Sequence, residues 1–272
     1  IIEKYGIATF FSDFETLLVR LFLSLGHYFP NVAMHQIIDK IQSQTQNMIV
    51  DASDSNFKNY LNKNKKKGFK SNINFLGEAI LGENEAANRL LQYKNALQNP
   101  LVNYVSIKIS TIYSQINHLA YAESKKILVE RLSDLYATAM QNPLESIVNE
   151  EVVHTPKFIN LDMEEFKDLH LTVDVFKEVL SKTEFFNLSA GIVLQAYLPN
   201  SYSYLQNLTK WAIQRVQNGG APIKIRIVKG ANMEMEKLES EIKNWPLATY
   251  RKKIYTDANY KRMLDFALQK QH

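Results

Sequence analysis

Cysteine is absent from the 272 residues, which excludes a disulfide framework, a thiolate metal site, an iron–sulfur cluster held by this chain and a cysteine nucleophile. Glycine is scarce, nine in all with none between Gly82 and Gly191, so that stretch is expected to be mostly helical with short connections. No Gly-x-Gly-x-x-Gly follows an apolar run and no Gly-x-x-x-x-Gly-Lys occurs, which disfavours dinucleotide-binding doubly wound folds and nucleotide triphosphatases. Long apolar runs are also missing. The most apolar segment, Leu17 to Leu25, is interrupted by Arg20 and falls far short of the roughly 20 residues that cross a bilayer. The six histidines show no paired metal spacing, so no metal is expected, and no serine sits in a Gly-x-Ser-x-Gly elbow. Neither sign of charge dominates: 32 basic and 28 acidic residues leave a net charge of +4. Lys63, Lys65, Lys66, Lys67 and Lys70 form the one basic cluster, and it reads as a solvated helix end, with no nucleic-acid partner evident. The first residue is Ile1 and no signal-peptide pattern follows, so the ends are expected to be cut from something longer.

What the chain does contain is the composition of a folded protein, 46% hydrophobic and 11% aromatic. From Phe14 to Ile49, apolar residues recur at helical spacing (Leu17, Leu18, Leu21, Phe22, Leu25, then Met34, Ile37, Ile38, Ile41), which predicts a helical arm over residues 1–66. Beyond it the texture alternates. Short β-branched runs at Ile73–Leu76, Tyr104–Ile109, Phe158–Leu161, Gly191–Ala196 and Ile223–Val228 each precede a helical pattern. Strand–helix repetition of this kind argues for a parallel sheet. Without a dinucleotide fingerprint the expected fold is α/β, a partial (β/α)8 TIM-type barrel over residues 67–272, three units short of closure.

In such a barrel, chemistry gathers at the carboxyl ends of the strands. The polar residues there are Glu78, Lys108, Asp162, Gln195, Arg226 and Lys229. Lys108 lies between Ile107 and Ile109, where an ammonium needs a carboxylate partner or an anionic ligand. Strand alternation sets Lys224, Arg226 and Val228 on one side and Ile223, Ile225 and Ile227 on the other, so Arg226 is expected to point into the barrel mouth if the isoleucines pack on helices. There it would serve an anion or a reduced flavin ring, or form a salt bridge to a residue such as Asp162.

Five strand-end segments now form a set: Asn74-Phe75-Leu76-Gly77-Glu78-Ala79, Ser106-Ile107-Lys108-Ile109-Ser110, Asn160-Leu161-Asp162-Met163-Glu164-Glu165, Gln195-Ala196-Tyr197 and Arg226-Ile227-Val228-Lys229-Gly230-Ala231. In this order and spacing they resemble the proline dehydrogenase domain of proline utilization A, a bifunctional bacterial flavoenzyme. The resemblance runs from about Lys67 to the end of the chain.

That resemblance implies a distorted barrel holding FAD at the carboxyl ends of its strands. Arg226 would lie beside the flavin's reactive nitrogen and Gln195 at the isoalloxazine edge. Val228, Lys229, Gly230 and Ala231 would line the cofactor's path, with Gly230 avoiding a Cβ clash. Lys252, Lys253 and Thr256 fall where the family contacts the adenosine and pyrophosphate end; read by themselves they are a basic loop with a Thr-Asp helix cap. Lys108 would meet the carboxylate of L-proline and Asp162 its ring amine, while Glu78 resembles the acidic residue that closes the site with an arginine. The implied reaction yields Δ1-pyrroline-5-carboxylate, with a membrane quinone taking the electrons, a cytoplasmic location with peripheral membrane association, and oligomer formation left open. NAD is implied only for an aldehyde dehydrogenase domain downstream.

Asn74 stands where many family members have aspartate, and Asn232 where a tyrosine often follows Lys-Gly-Ala. The family's paired substrate arginines fall beyond His272, so this segment alone is expected not to turn over proline. Two rival readings stand on single features. One is a barrel aldolase or transferase using Lys108 or Lys229 as a Schiff-base amine. The other is a helical interaction module engaging a partner or an anionic membrane through the Leu17–Leu25 helix and the lysine cluster.

Overall fold

The structure, a computed structural model, describes residues 54–76 and 80–270 together with Ile38, Ile49 and Val50. The Leu17–Leu25 segment, most of Phe14–Ile49 and Glu78 lie outside the described residues. The chain divides into two units, Ile1–Lys63 and Asn64–His272. Helix α1 (Asp54–Lys66) ends in the lysine cluster, whose members are exposed, and the chain turns at Gly68 with φ +75°. The cluster is a solvated helix end.

The second unit is built on a five-stranded parallel sheet in the order β1-β2-β5-β6-β7, with β1 at Asn72–Asn74, β2 at Tyr104–Ile107, β5 at Phe158–Leu161, β6 at Gly191–Gln195 and β7 at Lys224–Val228. All five runs read as strands in the sequence are strands. The connections are helical: α2 (Glu83–Gln98), the short α3 (Ile109–Ile112) with α4 (Tyr121–Gln141), α5 (Leu169–Leu180) and α6 (Ser201–Gln217), and β7 leads into α7 (Met233–Lys243) and α8 (Lys253–Leu268). Between α4 and β5 an antiparallel hairpin, β3 (Leu144–Val148) and β4 (Glu151–Thr155), interrupts a stretch expected to be mostly helical. Its turn residues Asn149 and Glu150 have φ of 51° and 67°, the geometry of a tight hairpin turn. That turn most often carries glycine, and a glutamate there conceals it.

Register explains which face does what. Ser106 pairs with Asn160 and Asn160 with Gly191, while Val193 pairs with Arg226. With a period of two, Tyr104, Ser106, Phe158, Asn160, Val193, Gln195 and Arg226 therefore share one face. Contacts agree: the Tyr104 and Phe158 rings meet edge-on at 4.9 Å, and the Lys224 ammonium lies 5.9 Å from the Phe158 ring. The other face, Val105, Ile107, Ile159, Leu161, Ile192 and Leu194, is buried, as are Leu128, Leu132, Leu135 and Tyr136 of α4 and Leu171, Val175, Phe176 and Val179 of α5. Each such aliphatic side chain contributes roughly 1.5–3 kcal/mol on burial. The apolar face is closed by helices, which leaves the polar face for the site.

Two buried cations tie down the amino ends of the strands. Lys157, just before β5, donates to the carbonyls of Leu97 and Asn99 at 2.6 and 2.5 Å and so caps the end of α2; burial lowers its pKa to about 8. Arg215, in the last turn of α6, donates to the carbonyls of Leu180, Phe185, Phe186, Leu188 and Ala221, gathering the ends of α5 and the segments that enter β6 and β7. Neither is near the carboxyl ends, and both serve the frame.

Candidate active site

The carboxyl ends of β2, β5, β6 and β7 bring Lys108, Asp162, Gln195 and Arg226 into one connected network. Arg226 Nη2 donates to Asp162 Oδ1 at 2.8 Å, spanning the intervening strand β6. Asn160, two residues earlier on the same face of β5, donates to the same oxygen at 2.5 Å. Burial pushes the Asp162 carboxyl above its ordinary value, against the pull of Arg226, Asn160, Lys108 and Ser106. Gln195 is buried, and its Nε2 donates to the carbonyls of Met163 and Glu164 at 3.4 and 3.3 Å. Lys108, the residue before α3, donates to Glu164 Oε1 at 2.9 Å, and Ser110 Oγ donates to Glu164 Oε2 at 3.0 Å.

The carboxylate partner expected of Lys108 is therefore Glu164, and the one expected of Arg226 is Asp162. Glu164 carried no assigned role in the sequence. Its place in Asp162-Met163-Glu164-Glu165 held a signal nonetheless, since a carboxylate two residues past Asp162 continues the same face beyond the strand.

The turn after β7 is held against β6. The ladder continues past both strand ends, from Ala196 N to Val228 O at 2.7 Å and from Tyr197 N to Lys229 O at 2.8 Å. Gly230 has φ +115°, and a Cβ there would lie 2.4 Å from Cδ1 of the buried Tyr197 ring. The backbone conformation and the ring each require glycine. Ala231 beside it is exposed.

Lys229 and Lys253 converge on Asp257, at 2.5 and 2.6 Å, and Asp257 raises the pKa of Lys229. A Schiff-base amine requires the opposite shift, which argues against Lys229 in the aldolase reading. Lys252 immediately precedes α8 and is exposed. The cap expected of Thr256-Asp257 does not form. The helix begins at Lys253, so Thr256 lies within its first turn, buried, with no hydrogen-bond partner for Oγ1. Asn259 anchors α8 to the site by donating to Ala196 O at 2.9 Å and Leu198 O at 3.3 Å. Gln195 Oε1 and Asn160 Oδ1 are likewise buried without partners. Such orphaned atoms are rare in native proteins, and three of them lie on the segments that build this mouth.

The family model described as proline dehydrogenase matches residues 57–272. The bifunctional protein PutA of Klebsiella aerogenes is 27% identical over 211 residues, and that of Escherichia coli (strain K12) 26%; each alignment covers 71% of this chain and 14% of the relative. Among solved structures, proline utilization A from Corynebacterium freiburgense is similar with a TM-score of 0.75 and 39% identity, covering 96% of this chain and 25% of that one. Proline utilization A from Bdellovibrio bacteriovorus, inactivated by N-propargylglycine, gives a TM-score of 0.76 and 30% identity over 89% of this chain and 26% of that one. The chain thus spans about a seventh of its curated relatives and a quarter of these structures. With the family model matching residues 57–272, most of its length, this chain belongs to the proline dehydrogenase family.

Proposed function

We propose that this chain forms part of an enzyme that oxidises L-proline to Δ1-pyrroline-5-carboxylate with FAD as cofactor, within a bifunctional proline-to-glutamate protein. The observation that carries the reading is the joining of Lys108, Asp162, Gln195 and Arg226 at four neighbouring strand ends. Residues 1–66 are taken as its amino-terminal arm and 67–272 as barrel.

The residues present fit a flavin dinucleotide. The buried Gln195 Oε1 lacks a partner, and a flavin edge carries N–H donors as well as acceptors. Gly230 keeps the turn free of a side chain where the backbone passes Tyr197. Lys229, Lys252 and Lys253, with one carboxylate between them at Asp257, give the pyrophosphate end a net positive charge. Val228 and Ala231 complete the turn that lines the path, and Thr256 offers a free hydroxyl. FAD, when bound, supplies the two-electron acceptor that takes the hydride from the carbon next to the ring nitrogen.

The chain's own part is positioning. Lys108 binds the proline carboxylate and Asp162 the ring amine, so that two charged contacts fix a small rigid ring in one orientation. Arg226 holds Asp162 and sets a permanent positive charge where the cofactor gains electron density. Glu78 is assigned the closing carboxylate. A membrane quinone as final acceptor, peripheral attachment to the inner face of the membrane from the cytoplasm, and an NAD-dependent partner domain belong to the same proposal. Among the described residues, no helix is long and apolar enough to cross a membrane.

The test is spectroscopic. The purified full-length protein is expected to be yellow, and anaerobic L-proline should bleach its flavin absorbance. A colourless preparation, or one whose flavin ignores proline, overturns the proposal.

A further inference from the structure

Lys108 presents a problem that its charge alone does not solve. An ammonium on a flexible four-carbon stem has many rotamers open to it, and this one ends half-buried at the barrel mouth. Its single hydrogen-bond partner among the described residues is Glu164 Oε1, at 2.9 Å. Glu164 is itself fixed, because its second oxygen accepts from Ser110 Oγ at 3.0 Å. Ser110 follows Lys108 by two residues, so lysine, glutamate and serine close a ring between the ends of β2 and β5. An ammonium has three N–H donors, and this ring uses one.

We propose that Glu164 is the positioning residue of the substrate-carboxylate subsite: with Ser110 it fixes the Lys108 ammonium at the mouth and leaves two donors for the carboxylate of the amino acid. The inference rests on the reading of L-proline as substrate. Glu164 does not touch substrate in this scheme. It acts through Lys108, trading some like-charge repulsion with the incoming carboxylate for a fixed cation. Asp162 sits on the same strand end but is occupied by Arg226 and Asn160, which leaves Glu164 as the carboxylate that holds Lys108.

The experiment is equilibrium binding to the full-length protein by calorimetry with two probes, each carrying half of proline's charge: cyclopentanecarboxylate, which has the acid without the amine, and pyrrolidine, which has the amine without the acid. Glu164→Ala should weaken cyclopentanecarboxylate about tenfold, equivalent to about 1.4 kcal/mol, and leave pyrrolidine within about twofold. Glu164→Gln should return the acid probe to wild-type strength or better, because the amide keeps an acceptor for Lys108 and a donor for Ser110 while the repulsion disappears. In steady state, Glu164→Ala should raise KM for proline with little change in kcat. Equal weakening of both probes means a structural role, and no weakening means an idle surface ion pair; either result overturns the inference. If the wild-type protein neither binds these probes nor oxidises proline, the proposed function itself fails, which is a separate outcome.

Discussion

Arg226 on β7 reaches past β6 to the carboxylate of Asp162 beyond β5, 2.8 Å from Nη2 to Oδ1. The guanidinium side chain is 43% exposed, so the pair contributes little to stability, about 1 kcal/mol at most. Its position at the mouth gives it a larger share of the chemistry. Arg226→Met is expected to slow proline-dependent flavin reduction by roughly 100-fold or more, while urea unfolding shifts by about 1 kcal/mol or less. Rapid-mixing absorbance and an unfolding curve on the same preparation check it; an unchanged reduction rate would contradict the assignment.

Gly230 makes a sharper demand on the backbone. At φ +115°, with a Cβ position 2.4 Å from the Tyr197 ring, Gly230→Ala must move either the turn or the buried tyrosine. The cost is about 1–3 kcal/mol, and the displaced turn should lower flavin content per chain. Thermal unfolding and the ratio of flavin to protein absorbance report the two effects independently.

Arg215 should matter only to the frame. Removing it leaves the carbonyls of Leu180, Phe185, Phe186, Leu188 and Ala221 without this donor in a mostly buried setting. Arg215→Met is expected to cost about 3–5 kcal/mol, and Arg215→Lys less, since one ammonium cannot reach so many acceptors in a planar fan. Urea titration of both variants checks the order; a silent Arg215→Met would refute it.

Acid titration offers a test of a buried carboxylate in the turn that follows β5. Asp168, in the turn Phe166–Asp168 between β5 and α5, lies 3.0 Å from His118, and burial raises its carboxyl to about 6 despite that imidazole. The folded chain therefore holds this proton more tightly than the unfolded chain, whose aspartates titrate near 4. By linkage, the stabilisation from Asp168 is complete below about pH 4 and fades as pH rises to about 6. Asp168→Asn lacks this titration, so the stability difference between wild type and variant should fall across that window. Urea midpoints measured from pH 4 to 7 that keep a constant difference would exclude it.

Several elements were legible because their signals are local. Apolar β-branched runs followed by helical spacing gave all five strands of the sheet. The hairpin of β3 and β4 was not legible, since Asn149 and Glu150 lack the glycine that usually announces such a turn. The start of α8 was misjudged for a similar reason. Thr256-Asp257 has the composition of a cap, yet the helix begins at Lys253 without one, and Asp257 is spent on Lys229 and Lys253.

Alternation along β7 determined that Arg226 shares a face with Lys224 and Val228, because side-chain direction in a strand is a property of the chain alone. Which cation meets which carboxylate was decided by the sheet. Pairing Val193 with Arg226 and Asn160 with Gly191 brings Arg226 within reach of Asp162, and the closeness of the β2 and β5 ends gives Lys108 to Glu164, 56 residues away. Residue types and their order fix the candidates for a charged site; register between strands far apart in sequence fixes the partners, since that register is selected by packing one apolar face of the whole sheet against its helices, which no local run of residues specifies alone.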